Sequence, residues 1–99
     1  MKIWVDDVRI PPKGFVWAQS TNQAIELIKT AIDRDFTIEV IDLDHDSGDF
    51  VKDGGDYIRV LDWLEMNGYS FPIRIHSMNP VGVKNMRRII NKNGWEEIR

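Results

Sequence analysis

Val40-Ile41-Asp42-Leu43-Asp44-His45-Asp46 is a short apolar run that turns, at its C-terminal edge, into carboxylates flanking a histidine. With Phe36 and Ile38 ahead of it, the run has the β-branched and aromatic content of a strand from the middle of a sheet, and we read residues 36–43 as that strand. Carboxylates in such a place are costly unless they are paired, hydrogen-bonded or bound to a cation. Asp44 and Asp46 are therefore expected at the strand's open end, where ligands bind in α/β sheets.

Upstream, Lys2-Ile3-Trp4-Val5 reads as a first strand ending in a second acidic pair, Asp6-Asp7. Val8 to Gly14 contains Pro11-Pro12 and a glycine, which favours an extended loop over a helix. Phe15-Val16-Trp17-Ala18 is strand two, its direction left open because few residues are available for a parallel return. Ser20 with Gln23 forms a capping-box start, and Ala24, Ile25, Ile28, Ala31 and Ile32 repeat at helical spacing, predicting a helix over 21–33.

Downstream lies a loop rich in Asp and Gly. From Gly55 or Asp56 a second apolar stripe follows Tyr57, Ile58, Leu61 and Leu64, closed by Asn67-Gly68. Residues 72–76 form strand four, and Asn79-Pro80 is an N-cap with proline at the first helical position. The third helix runs to about Asn93 before Gly94, with Met86, Ile89 and Ile90 towards the core and Lys84, Arg87, Arg88 and Asn91 opposite. Trp95 to Ile98 closes the sheet as strand five. The order β-β-α-β-α-β-α-β is a three-layer α/β recipe with parts missing.

At 99 residues the chain is read as one domain, 1–99, with room for a core but not for a second unit. A hydrophobic share of 42% with 29% charged residues excludes disordered and fibrous classes. The net charge of -3 argues against a general nucleic-acid coat. Without cysteine there is neither a disulfide framework nor a thiolate metal site, which suits a cytoplasmic protein. No run approaches membrane-spanning length and no signal-peptide pattern is present, so no membrane association is expected.

An acidic pair after strand one (Asp6-Asp7), an Asp at the end of strand three (Asp44) and a Ser after the next strand (Ser77) resemble the response-regulator receiver domain. Two departures stand out: the Pro-containing loop replaces the first helix, and the usual lysine-proline and final helix are missing. A closer resemblance is to the cyclic-phosphate processing receiver family, carried by Ile3 to Arg9 (Ile-Trp-Val-Asp-Asp-Val-Arg), Leu43 to Asp46 (Leu-Asp-His-Asp) and Ile75 to Pro80 (Ile-His-Ser-Met-Asn-Pro). It implies a receiver-like (flavodoxin-like), mostly parallel five-stranded sheet of order 2-1-3-4-5. It also implies a substrate with a cyclic phosphate, at an RNA end or in a cyclic nucleotide.

In that order strands one and three are neighbours, so Asp6, Asp7, Asp44 and also Asp46 are candidates to converge on a divalent cation. A hard-oxygen cluster suits Mg²⁺ or Mn²⁺; the competing reading is a solvated acidic loop. His45 and His76 end adjacent strands beside carboxylates, and we take both, with Asp44, as candidate catalytic groups, one to activate water and one to protonate a leaving oxygen. Either histidine is otherwise a structural partner of a carboxylate. Ser77 and Asn79 precede a helix N-terminus that favours an anion, and Arg9 is a candidate phosphate clamp. The four tryptophans are candidates to stack on bases but are assigned mainly to the core, and the basic face of the third helix at Lys84, Arg87 and Arg88 is a candidate to steer a nucleic-acid end, with a solvated face as the default reading.

Two functions are kept apart: a metal-assisted enzyme or sensor for a phosphate ester, and a non-catalytic receiver-like signalling or interaction module with Asp44 as phosphoacceptor. A phosphate-containing small molecule or RNA end is the expected partner. Right-handed crossovers put all three helices on one face. Parallel sheets are seldom left bare, so the Pro11-Pro12 loop, a partner protein or a second copy in a homodimer is expected to cover the other.

Overall fold

The computed structural model describes residues 1–99 and contains five strands, β1 (Lys2–Val5), β2 (Phe15–Ala18), β3 (Val40–Leu43), β4 (Ile73–Ile75) and β5 (Glu97–Ile98). All are parallel, in the order β2-β1-β3-β4-β5. Three helices, α1 (Thr21–Asp33), α2 (Ile58–Asn67) and α3 (Pro80–Asn93), connect them, and a short 3-10 turn spans Gly48–Phe50.

Strand alternation sorts the sheet's two faces. Ile3, Val5, Ile41, Leu43 and Ile73 point one way and form a single core with Ala24, Ile28, Leu61, Leu64, Met86 and Ile90 of the helices. Trp4, Asp42 and Arg74, the intervening residues, belong to the helix-free face and are matched in register across β1, β3 and β4. Connections β2-α1-β3, β3-α2-β4 and β4-α3-β5 all advance towards the same edge, so right-handed crossovers stack all three helices together.

The β1–β2 connection advances the other way and therefore lies on the opposite face. There the Trp4 indole donates to Arg9 O at 2.9 Å and the Trp17 indole to Asp6 O at 2.8 Å. Strand two is thus a parallel strand, not a hairpin partner, and the loop partly covers the helix-free face.

The caps are where the side chains predict them. Ser20 Oγ accepts from Gln23 N, Asn79 Oδ1 accepts from Gly82 N, and Gly68 and Gly94 close α2 and α3 in left-handed backbone.

Strand lengths differ from the sequence reading. Phe36–Glu39 stay outside β3 because the chain is still leaving α1: Asp35 has φ 56°, and Phe36 N bonds back to Ala31 O. Pro72 has no N–H, so β4 starts at Ile73. β5 shrinks to two residues because Trp95 N is bonded to Ile90 O in the α3 cap. α2 starts at Ile58, since Tyr57 N is bonded to His45 O and Gly55 has φ 84°.

Candidate functional site

The C-terminal ends of β1 and β3 are adjacent, and this brings together side chains from two remote stretches. One carboxylate oxygen each from Asp6, Asp7 and Asp44 lies within 4.8 Å of the others. Asp7 is held above its usual carboxylate range, first by burial and then by the charges of Asp6 and Asp44. Repulsion of this kind is what a divalent cation relieves, and three hard oxygens on two backbone segments fit Mg²⁺ or Mn²⁺. Asp44 also accepts its neighbour's N–H, His45 N, at 2.8 Å. Gly48 has φ +55° and a side chain there would run into the Asp7 carboxylate, so the 3-10 turn closes over the cluster only as glycine.

Asp6 is fully buried and its position is over-determined. Oδ1 accepts from Val8 N at 3.0 Å and Arg9 N at 2.9 Å, and Oδ2 accepts from His76 Nε2 at 2.8 Å. Burial alone would raise its pKa, but the two backbone donors and His76 outweigh it, and the carboxyl is held below the usual value. Most of its acceptor capacity is thereby spent, leaving an Oδ2 lone pair for a cation.

His76 has both ring nitrogens engaged. Nδ1 is 2.7 Å from Asp42 Oδ1 while Nε2 meets Asp6, and the ring lies flat on Trp4 with centroids 3.9 Å apart and planes 3° apart. Arg74 Nη1 completes the arrangement at 3.0 Å from Asp42 Oδ2. Burial pushes the imidazole pKa down, yet hydrogen bonds and charge from Asp42 and Asp6 prevail and raise it. An imidazolium with Arg74 balances the two carboxylates, a condition for keeping charges in a buried place.

His45 is differently placed. Its ring sits against Gly82 in the first turn of α3, where an added Cβ would lie 2.6 Å from Cδ2. Nδ1 is 2.9 Å from Asp46 Oδ1, while no protein group occupies Nε2. Asp46, hydrogen-bonded first to His45 and also to Asn79, is held below the usual carboxylate range. It stands with His45 and Asp56 in a second group rather than with Asp6, Asp7 and Asp44.

Of the candidate phosphate ligands, Ser77 Oγ accepts from Asn79 N at 3.0 Å and Asn79 caps α3. Arg9 lies 3.8 Å from Asp6 and donates to His76 O at 3.2 Å. Trp4 is buried as expected, whereas Trp17 is 39% exposed. Asp42 was not among the candidate site residues; its charge inside an apolar strand, opposite Arg74, was the available signal.

The family model described as the cyclic-phosphate processing receiver domain matches residues 1–92. The chain belongs to that family. Among curated proteins and among solved structures no match is found. The three stretches that carry the family likeness supply every residue just described except Trp17, Asp42, Gly48, Asp56, Arg74 and the Gly82 contact. In this cyclic-phosphate processing receiver the first helix of a receiver is replaced by the loop that pins Trp4. No helix is long and apolar enough to cross a membrane.

Proposed function

We propose that this domain binds a cyclic phosphodiester at the Asp6-Asp7-Asp44 cluster with Mg²⁺ or Mn²⁺ and hydrolyses it to a phosphomonoester. The observation that carries this reading is the convergence of three carboxylates within 4.8 Å at the open end of the two central strands. A divalent cation bound there supplies positive charge to the phosphoryl oxygens.

The chain's own residues divide the remaining work. His45 is the proton carrier: its Nδ1 is oriented by Asp46 and its Nε2 is free. Water adds to phosphorus as one ring P–O bond breaks: His45 Nε2 gives the departing oxygen its proton, one water proton stays on the new phosphomonoester, and the other returns through solvent to His45. His76, committed to Asp42 and Asp6 through both nitrogens, keeps Asp6 in place. Pro80 has no N–H and the N–H groups of Gly82 and Val83 are bonded to Asn79, so the Val81 N–H and the Ser77 hydroxyl are what this turn of α3 offers to phosphoryl oxygens.

The test is incubation with a 2′,3′-cyclic mononucleotide and either cation, followed by chromatography of the products. Turnover lost in Asp44→Asn and in His45→Gln is expected. Absence of both binding and turnover with either cation would overturn the reading. A parallel incubation with acetyl phosphate covers the alternative: an aspartyl phosphate missing in Asp44→Asn would make the domain a phosphoacceptor module.

A further inference from the structure

A groove of about 730 Å³ runs along the outer side of α3, beginning at Ser77 and Met78 where β4 ends and continuing to Asn91. Its cations are Lys84, Arg87 and Arg88. Only Arg87 is tied to a carboxylate, with Nε 2.8 Å from Glu97 Oε2, and its terminal nitrogens make no ion pair. Lys84 and Arg88 are exposed, one helical turn apart, about 6 Å along the axis. Such concentration of positive charge runs against the chain's net charge of -3.

We infer that this groove takes a single-stranded oligonucleotide whose terminal phosphate lies in the carboxylate site. For the position of the strand's end the inference rests on the proposed function; for the groove it rests on charge and continuity. Ser77 belongs to both: it lines the groove, and it directly follows His76, whose Nε2 is 2.8 Å from Asp6 Oδ2 in the carboxylate site. From Pro80 to Asn91 the helix is about 16 Å long, room for about five nucleotides at ~3.4 Å each. Met78, 83% exposed at the groove's entrance, offers an apolar surface to a base next to the terminal phosphate. A protein partner would want a deep apolar anchor pocket at the centre of the groove, and what stands there is one small apolar side chain, Val83, among Lys84, Arg87 and Arg88. Repeating cations on an open track are the footprint of a phosphodiester backbone.

The experiment is fluorescence anisotropy in EDTA, which halts turnover, with a labelled RNA of about ten nucleotides and with oligoglutamate as a competitor. The double variant Lys84→Gln/Arg88→Gln keeps good helix formers on an exposed face, and an unchanged thermal midpoint certifies its fold. It should bind the RNA roughly tenfold more weakly, and the salt slope of log K should fall by about 1.4, the share of two phosphate contacts to a single strand. Equal RNA affinity in wild type and variant overturns the inference, and so does oligoglutamate that competes as well as unlabelled RNA. Cleavage of the cyclic mononucleotide is scored separately. Turnover without groove-dependent RNA binding leaves the function and removes the groove; groove-dependent binding without turnover does the reverse.

Discussion

His76 Nδ1 and Asp42 Oδ1, from residues 34 positions apart in the chain, are 2.7 Å apart in the interior of the helix-free face. Asp42 is 2% exposed, and its other oxygen is held by Arg74. Neutralising one member of such a group leaves the others as uncompensated charge, which for a buried pair costs about 3–5 kcal/mol. Asp42→Asn should lose an amount near the lower end, because Arg74 reaches solvent and can be hydrated. Arg74→Ala, at the solvated side of the group, should lose about 1 kcal/mol or less. Urea titrations at pH 6 of both variants and wild type check the ordering; equal losses would show that Asp42 is not the buried hub.

The same group fixes how stability depends on pH in the absence of metal. His76 has a folded pKa above 6.5, so its contribution is complete below 6.5 and fades as pH rises through the folded value. Asp6 is shifted the opposite way, below 3.8, so its contribution is present above 3.8 and fades as pH falls through its folded value. Asp7, shifted upward, destabilises the folded state once ionised and so blunts the acid limb without touching the alkaline one. Maximum stability in EDTA is therefore expected between about pH 4 and 6.5. In His76→Gln the decline above pH 6.5 should flatten. A thermal-melt series from pH 4 to 9 that keeps the same alkaline slope in the variant would contradict the assignment.

Much of the fold was legible because its signals are local. Capping by Ser20 and Asn79, the glycines that end α2 and α3, and the apolar stripes on three helices each depend on residues a turn apart. Strand order came with the family likeness, and once it is given, the meeting of Asp6, Asp7 and Asp44 follows from two strand ends being neighbours. Side-chain pairing across strands was harder. Asp42 and Arg74 are charges in otherwise apolar strands, but only the register that sets them opposite each other shows them to be partners. For His76 the sequence leaves open an acid or base and a structural partner of a carboxylate, and only in three dimensions are both nitrogens seen to be spent, on residues 34 and 70 positions away. Asp46 was drawn to the first cluster by its closeness in sequence to Asp44, yet its hydrogen bonds to His45 and Asn79 turn it towards α3.

Asp7 gives the cleanest separation of metal binding from folding. Its carboxylate faces those of Asp6 and Asp44, and their repulsion raises its pKa. Asp7→Asn should stabilise the metal-free protein, by no more than about 1 kcal/mol because the residue is partly solvated and its repulsion is screened. The same change should remove Mg²⁺ and Mn²⁺ binding in calorimetry, along with metal-induced stabilisation in a thermal melt. Undiminished cation affinity in Asp7→Asn would place any cation elsewhere.

Gly82 tests the position of His45 without altering a charge. It lies in the first turn of α3, its N–H bonded to Asn79 Oδ1 at 3.0 Å, and a Cβ there would meet the His45 ring 2.8 Å from Nδ1. Two effects compete in Gly82→Ala. Alanine in a helix gains up to about 1 kcal/mol over glycine from propensity alone, whereas overpacking a filled space costs about 1–3 kcal/mol. With the ring pressed directly on this turn, the clash should win. The variant should be less stable than wild type, and hydrolysis should fall as His45 is pushed from its alignment with Asp46. Stability alone does not identify the ring as the obstacle, but a double-mutant cycle does. In a His45→Ala background the space is empty, so Gly82→Ala should become neutral or stabilising. Urea titrations of the four proteins measure the coupling, and if Gly82→Ala costs the same with and without the ring, His45 does not sit where the proposed role of proton carrier requires.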